Sequence, residues 1–324
     1  MDAPIGLVQA LLPVTAHVIA RVPASHPSAR ILGSERMGSG VVVDASGLVL
    51  TVNYVVMGAR RLRVTLPDGR RAPAEIVAQD FENGLALLRV RGGDFPAARL
   101  GSSETLSRGA EVFAISATGP RERRVASGVV TELGEFDAYW EYLLDRGIVT
   151  SAANPGFGGG PLFDRWGAVV GIVSLNLSEI SRQSLAIPVE YYTGHRAELL
   201  RFGRVASRPR RAWLGVFPQT VEEGLIVAGL VPAGPGERDG LREGDVILRV
   251  DQEEVETRRA LYAALWRHGP GERVILDVMR ENRMHRVEVV SGDRAEFYAT
   301  ESSRPGGTTP EEGEEPGSGP RPRR

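Results

Sequence analysis

Serine and histidine are the side chains of this sequence best suited to covalent chemistry. The chain contains no cysteine, and all 39 of its basic residues are arginine. This composition excludes disulfides, thiolate nucleophiles, Schiff-base lysines and phosphate-binding Walker lysines. The five histidines are His17, His26, His195, His268 and His285. They show no metal-ligand spacing with aspartate or glutamate, so neither a metal nor a cofactor is expected.

The elements that must position any site are short strands. A length of 324 residues favours two domains, and 39 Gly, 21 Pro and 6% aromatics favour many strands joined by turns. Runs at Val41–Val43 and Leu48–Thr51 predict a hairpin about a four-residue turn. Further strands are predicted at 61–66, 70–78, 85–90, 112–116, 126–132, 168–175 and 184–189. This spacing is typical of barrels or sandwiches.

A second unit is predicted after the basic linker at 204–211. It has strands at 224–230, 246–250, 273–279 and 285–290 and a helix from Thr257 to His268. Thr257 is the expected N-cap, and Gly269-Pro270 ends the helix. Two helix stripes, Leu261 with Leu265 and Tyr262 with Trp266, either both face the core or leave one lining a peptide groove.

The chain ends carry weaker signals. The start, Met1-Asp2-Ala3-Pro4, is acidic and unlike an export signal. Residues 5–22 are too interrupted for a membrane span and predict a helical turn followed by a strand at 14–22. Residues 300–324 are polar and Pro/Gly-rich, which favours disorder.

The most informative stretch reads Asn154-Pro155-Gly156-Phe157-Gly158-Gly159-Gly160-Pro161-Leu162. It resembles the nucleophile loop of trypsin-like serine proteases of the HtrA/Deg family, Asn-Pro-Gly-Asn-Ser-Gly-Gly-Pro-Leu. Segments 38–56, 80–90 and 185–188 are similar to the family's histidine segment, aspartate segment and closing strand. The matches keep the family's order and spacing throughout residues 38–190.

The resemblance implies that all three triad positions are substituted. Tyr54 stands in place of the general-base histidine, Gly84 in place of the orienting aspartate, and Gly158 in place of the nucleophilic serine. Glycine cannot attack a carbonyl, and a phenol with a pKa near 10 is a poor base at pH 7. The catalytic triad is therefore expected to be degenerate.

The resemblance also identifies the oxyanion loop and the serines that could replace the missing nucleophile. The resemblance makes the N–H groups of Gly156 and Gly158 the oxyanion donors. Phe157 replaces a small polar residue between them, so this remnant is interpreted as a turn kept for the barrel. Ser116, Ser127 and Ser151 lie near the cleft by resemblance, and no histidine is expected beside them.

The second unit is similar to the family's PDZ domain. Trp213-Leu214-Gly215-Val216 resembles its peptide-binding loop, and residues 233–247 resemble its hallmark segment. PDZ domains bind a peptide C-terminus as an added strand, with the carboxylate in a nest of backbone N–H groups. The resemblance assigns those N–H groups to Leu214, Gly215 and Val216. The alternative is a PDZ domain that only packs against the barrels.

The resemblance implies a mainly β fold, a trypsin-like double antiparallel β-barrel followed by a PDZ domain. The expected divisions are an N-terminal segment with the first strand (1–28), the degenerate HtrA-type barrels (29–205), a linker (206–211), the PDZ domain (212–293) and a disordered tail (294–324).

The function implied is that of a pseudoprotease in protein quality control. It would bind peptide or protein C-termini and unfolded segments, as a chaperone-like or regulatory protein, with an active HtrA paralogue as a further candidate partner. The rivals are a serine endopeptidase with displaced catalytic residues and a structural module whose cleft is filled by Tyr54 and Phe157. A formal net charge of −2 argues against nucleic acid as a partner.

The sequence also gives expectations for the cellular compartment and the oligomeric state. The missing export signal favours the cytoplasm, or the periplasm if the start is misassigned. Family members are commonly trimers joined by N-terminal aromatic residues, and residues 1–30 contain none. The resemblance therefore leaves the oligomeric state open.

Overall fold

The structure is a computed structural model that describes residues 5–177, 182–222 and 224–299. Its strands are β1 (Thr15–Arg21), β2 (Glu35–Asp44), β3 (Leu48–Val52), β4 (Arg61–Thr65), β5 (Arg71–Asp80), β6 (Leu85–Val90), β7 (Glu111–Ala117), β8 (Arg123–Ala138), β9 (Tyr142–Thr150), β10 (Pro161–Asp164), β11 (Val169–Asn176), β12 (Ser184–Pro188), β13 (Val216–Val221), β14 (Gly224–Leu230), β15 (Val246–Val250), β16 (Glu253–Glu254), β17 (Arg273–Arg280) and β18 (Arg283–Val290). Its α-helices are α1 (Ile5–Leu11), α2 (Pro27–Leu32), α3 (Asn53–Val56), α4 (Glu190–Thr193), α5 (Arg196–Phe202), α6 (Pro235–Arg238), α7 (Arg258–Leu265) and α8 (Arg294–Phe297). Short 3₁₀ turns occupy Leu12–Val14 and Ser103–Thr105.

Two closed antiparallel barrels make up the first part of the chain. The strand order is β1-β2-β3-β6-β5-β4 in the first barrel and β10-β11-β12-β9-β8-β7 in the second. The predicted hairpin is present as β2 and β3, and Gly47 in its turn has φ +93°. A Cβ on Gly47 would lie 2.1 Å from the Val90 carbonyl oxygen, so only glycine fits this turn.

The PDZ domain is one antiparallel sheet with helices packed on it. Its strand order is β13-β14-β15-β17-β18, which leaves β13 at an edge, and β16 pairs with β15. The predicted helix is present as α7, and the Thr257 side chain accepts a hydrogen bond from the Ala260 N–H at 3.2 Å. Leu261, Tyr262 and Leu265 are buried. Both helix stripes thus contribute to the core.

The fold class predicted from the sequence is confirmed: a mainly β, trypsin-like double barrel followed by a PDZ domain. Strands β9, β10, β13 and β16 were not predicted. The prediction of a disordered tail from residue 294 does not hold for its first residues, because 294–297 form α8. Tyr298 is buried against Trp213, with their ring centroids 5.7 Å apart. The predictions for residues 1–4 and 300–324 fall outside the described residues.

Candidate functional site

Hydrogen bonds within the first barrel and between the two barrels bring together the three positions that the resemblance assigns to the triad. The Asn53 N–H, next to Tyr54, donates to the Gly84 carbonyl at 2.7 Å. The Ser39 N–H donates to the Gly158 carbonyl at 2.8 Å, and Ser39 Oγ donates to the Phe157 carbonyl at 2.7 Å. The histidine-like, aspartate-like and nucleophile-like segments therefore meet in one cleft.

Tyr54 lies on the one-turn helix α3, directly after β3. Buried Arg36 fixes the end of this helix by donating to the carbonyls of Tyr54 and Met57, each at 2.9 Å. The Tyr54 phenol crosses to the second barrel and donates to the Ser174 carbonyl at 2.8 Å. Burial raises the pKa of Tyr54 to about 12. The phenol is thus a neutral donor at pH 7 and not a general base.

Gly158 has no room for a side chain. A Cβ on Gly158 would lie 2.0 Å from the Tyr54 hydroxyl and 2.8 Å from the Ser174 carbonyl oxygen. Both distances are shorter than close-packed atoms tolerate. Tyrosine at 54 and glycine at 158 therefore fit each other, and the tyrosine hydroxyl occupies the space that a side chain at residue 158 would need.

A side chain at residue 84 would also meet a tyrosine, in this case Tyr142. The φ of +75° at Gly84 disfavours residues with a side chain, and a Cβ there would lie 3.2 Å from the Tyr142 ring. The Tyr142 hydroxyl donates to the Asn83 carbonyl at 2.9 Å, and burial raises the pKa of Tyr142 well above its usual value. Tyr142 is a site residue that the sequence analysis missed.

In the predicted oxyanion loop, one of the two predicted N–H donors already has an acceptor within the chain. The Gly156 N–H donates to Asn154 Oδ1 at 3.3 Å, and the same oxygen accepts from Ser116 Oγ at 2.7 Å. The Phe157 N–H donates to the Ala117 carbonyl at 3.3 Å. An N–H with an intramolecular acceptor offers less to a carbonyl substrate. This geometry supports the interpretation of the loop as a turn kept for the barrel.

Two of the candidate rescuing serines bond to groups that are not bases. Ser116 donates to the Asn154 amide oxygen, and Ser151 Oγ accepts from the Val129 N–H at 3.0 Å. His17 lies beside the loop, with its ring centroid 6.4 Å from that of Phe157. Strand β1, paired with β2, carries His17 there. Burial lowers the pKa of His17, so its ring is neutral at pH 7.

The predicted carboxylate nest of the PDZ domain is well formed. Gly215 has φ +72°, which points successive N–H groups to one side. Three of the four predicted peptide-binding residues, Leu214, Gly215 and Val216, direct their N–H groups into it. Trp213 is different, because its N–H donates to the Gly292 carbonyl at 3.0 Å and its ring packs on Phe297.

A carboxylate from the barrels occupies this nest. Glu141, in the turn between β8 and β9, accepts through Oε1 from Gly215 N–H at 2.7 Å, Val216 N–H at 3.0 Å and Leu214 N–H at 3.2 Å. Its Oε2 accepts from Leu214 N–H at 3.1 Å. Burial raises the pKa of Glu141 to about 7, while the N–H donors and the charge of Arg294 act to lower it.

Neighbouring contacts hold the Glu141 turn against α7 and β13. The Tyr262 hydroxyl donates to the Ala138 carbonyl at 2.6 Å and accepts from the Glu141 N–H at 3.1 Å. Tyr139 packs edge-on against Phe217 of β13, at 5.8 Å between ring centroids. Adjacent aromatic residues in a turn, here Tyr139 and Trp140, are the sequence signal for this contact.

Two further properties concern the described part of the chain only. There, His, Asp and Glu side chains do not gather in groups that could hold a metal ion. None of the helices within 5–177, 182–222 and 224–299 has the length and apolar character needed to cross a membrane.

The fold and the site define a trypsin-like peptidase domain followed by a PDZ domain. Residues 38–172 match the trypsin-like peptidase domain family, and residues 212–290 match the PDZ domain family. A probable periplasmic serine endoprotease DegP-like of Halomonas elongata is 33% identical over 304 residues, which cover 88% of this chain and 62% of that protein. Its counterpart in Ectopseudomonas mendocina is 32% identical over 308 residues, 90% of this chain and 60% of that protein.

Solved structures agree with these relatives. The HtrA-type protease AlgW with a decapeptide is 28% identical, with a TM-score of 0.53 over 89% of this chain and 98% of that one. The serine endoprotease from Yersinia pestis, 24% identical with a TM-score of 0.53, covers 90% of this chain and 99% of that one and shares the fold. The chain is thus similar to HtrA-type and DegP-like proteases, and it spans about three-fifths of the length of the curated relatives named above.

Proposed function

We propose that this chain is a catalytically inactive HtrA-like protein that binds peptide C-termini or unfolded segments through its PDZ domain. The observation that carries the proposal is the Tyr54 hydroxyl, which lies where a side chain at Gly158 would begin. A cleft filled in this manner leaves no space for a nucleophilic side chain at residue 158.

The loss of rate expected from this geometry is large. Removing only the serine or the histidine of a serine protease triad lowers kcat by about 10⁶-fold. Here the serine and aspartate positions are glycines, and the histidine position is a tyrosine with a pKa of about 12. The rate left to backbone donors is further reduced because the Gly156 N–H is bonded to Asn154.

Peptide binding needs none of the lost side chains. The nest of Leu214, Gly215 and Val216 is built from backbone N–H groups, and β13 is an edge strand to which a peptide could add. AlgW, a similar structure, carries a decapeptide. We extend peptide binding to this chain and propose a chaperone-like or regulatory role, alone or beside an active HtrA paralogue. The names of the relatives place them in the periplasm, and we propose the same location here.

The second candidate is a serine endopeptidase whose catalytic groups are displaced from the usual positions. The relatives' names as serine endoproteases favour it. It requires a serine hydroxyl beside a base. The bonds of Ser116 to an amide oxygen and of Ser151 to a backbone group argue against these two positions.

Fluorescent unfolded casein tests both candidates with the full chain. We expect casein to bind, as measured by fluorescence anisotropy, and to remain uncleaved on a gel after prolonged incubation. Cleavage that persists through purification to homogeneity would favour the displaced enzyme. Absence of binding by casein and by peptides with free C-termini would remove the binding role.

A further inference from the structure

The peptide site of the PDZ domain already holds a carboxylate from the same chain. Glu141 is 2% exposed, and both of its carboxylate oxygens accept hydrogen bonds from the nest. We propose that the turn at 138–142 is an internal ligand of the PDZ domain, in which the Glu141 carboxylate takes the place of a peptide's C-terminal carboxylate. The proposal rests on the proposed peptide-binding function and adds its regulation.

The chemistry of the two carboxylates is the same. A peptide C-terminus and a glutamate side chain each present two oxygens with one negative charge. Glu141 uses them for four contacts with Leu214, Gly215 and Val216, between 2.7 and 3.2 Å. Hydrogen bonds from N–H groups to a carboxylate are short and strong. One nest cannot serve two carboxylates, so Glu141 and a peptide must exclude each other.

The turn alone does not explain why residue 141 is a glutamate. Glu141 has φ +55° at the third position of the three-residue connection between β8 and β9. Glycine or asparagine is favoured at such a position, and glutamate is not. Disfavoured backbone conformations persist where surrounding contacts enforce them. The contacts here are those of the carboxylate with the PDZ domain.

Further contacts dock the same turn and can be released together with it. Arg294 of α8 donates to the carbonyls of Trp140 at 3.1 Å and Glu141 at 3.0 Å. Arg258 of α7 pairs with Asp137 at 2.7 Å. These are polar contacts that water can replace. Since β13 remains an edge strand, a peptide strand can add there once the turn has left the nest.

Self-occupation predicts weak apparent peptide binding by the intact chain. When only a fraction of molecules has an open site, the apparent Kd rises by the inverse of that fraction. Removing the Glu141 carboxylate should raise the open fraction without touching any PDZ residue. The matched control is Glu132→Ala, which removes the same charge from an exposed position on β8.

The test uses full-length protein and a fluorescein-labelled decapeptide pool that ends in valine with a free carboxylate, beside the same pool amidated. We expect Glu141→Ala to bind the free-carboxylate pool about tenfold more tightly, or better, than wild type and Glu132→Ala. The affinity for the amidated pool should be the same in all three proteins. Glu141→Asp keeps the charge and shortens the side chain by one methylene group, which withdraws the carboxylate from the nest. It should change binding in the same direction if Glu141→Ala does not fold.

Amide hydrogen exchange separates failure of this proposal from failure of peptide binding. The N–H groups of Leu214, Gly215 and Val216 should be protected in wild type and exchange faster in Glu141→Ala. Equal peptide affinity in all variants, or unchanged protection of these three amides, would overturn the internal ligand. If no variant binds peptide while protection is lost in Glu141→Ala, the internal ligand stands and the peptide-binding function fails.

Discussion

Restoring a single side-chain atom at residue 158 should destabilise the barrels. In Gly158→Ala the new Cβ meets the Tyr54 hydroxyl at 2.0 Å and the Ser174 carbonyl oxygen at 2.8 Å. Overpacking a close-packed site costs about 1–3 kcal/mol. Displacing the phenol also loses its hydrogen bond to Ser174, worth about 1 kcal/mol. We therefore expect the free energy of unfolding to fall by about 2–4 kcal/mol.

A double-mutant cycle with Tyr54→Phe assigns this cost to its cause. The phenylalanine ring lacks the hydroxyl, and the nearest ring carbon of residue 54 lies 3.2 Å from the position of the new methyl group. The cost of Gly158→Ala should then fall by about 1–2 kcal/mol, within the range for residues in contact. The remainder reflects the Ser174 carbonyl oxygen, which Tyr54→Phe leaves in place.

Urea unfolding followed by circular dichroism measures both costs. The control is Gly134→Ala, because a Cβ on Gly134 meets nothing within 4 Å. This control should change stability by no more than about 0.5 kcal/mol. Equal urea midpoints for Gly158→Ala and Gly134→Ala would show that the space at residue 158 is not filled. An unchanged cost of Gly158→Ala in the Tyr54→Phe background would show that the hydroxyl does not fill it.

Three further predictions concern the PDZ domain. Burial raises the pKa of the Glu141 carboxyl from 4.5 to about 7, so docking of its turn in the nest takes up a proton. Docking is therefore strongest below pH 4.5 and weakens as the pH rises through 7. Peptide affinity measured by anisotropy should therefore fall roughly tenfold from pH 8 to pH 5.5, and Glu141→Gln should abolish this dependence. Arg280 pairs at 2.6 Å with Asp245, whose side chain is fully buried, so Arg280→Met should lower the free energy of unfolding in urea by about 3 kcal/mol. Thr257→Ala removes the N-cap of α7 and should cost about 1 kcal/mol in the same assay, whereas Thr257→Ser should be nearly neutral.

The fold could be predicted where local chemistry determines it. Gly47 forms its turn because no side chain fits there, and Thr257 caps α7 through its own hydroxyl. Strand β9 was missed because Asp145, Arg146 and Gly147 interrupt its apolar pattern. Without β9, the turn that precedes it was not predicted, and Glu141 in that turn was not recognised as a site residue.

The site was predictable only in part, because it depends on distances between remote residues. The resemblance identified Tyr54 and Gly158 as substituted positions. Only the structure shows that the tyrosine fills the space beside the glycine, because the two residues come from different barrels. The contact of Glu141 with Gly215 is likewise between two domains. Local patterns carry no signal for such contacts.

The proposed lack of a catalytic nucleophile is tested most directly by a fluorophosphonate, which labels activated serines. The purified chain is incubated with the reagent beside an active serine protease, and intact masses are measured. We predict that the mass of this chain does not change while the control gains one phosphonate. A stoichiometric adduct on this chain, mapped by peptide sequencing to one serine and lost when that serine becomes alanine, would show that the chain holds a nucleophile after all.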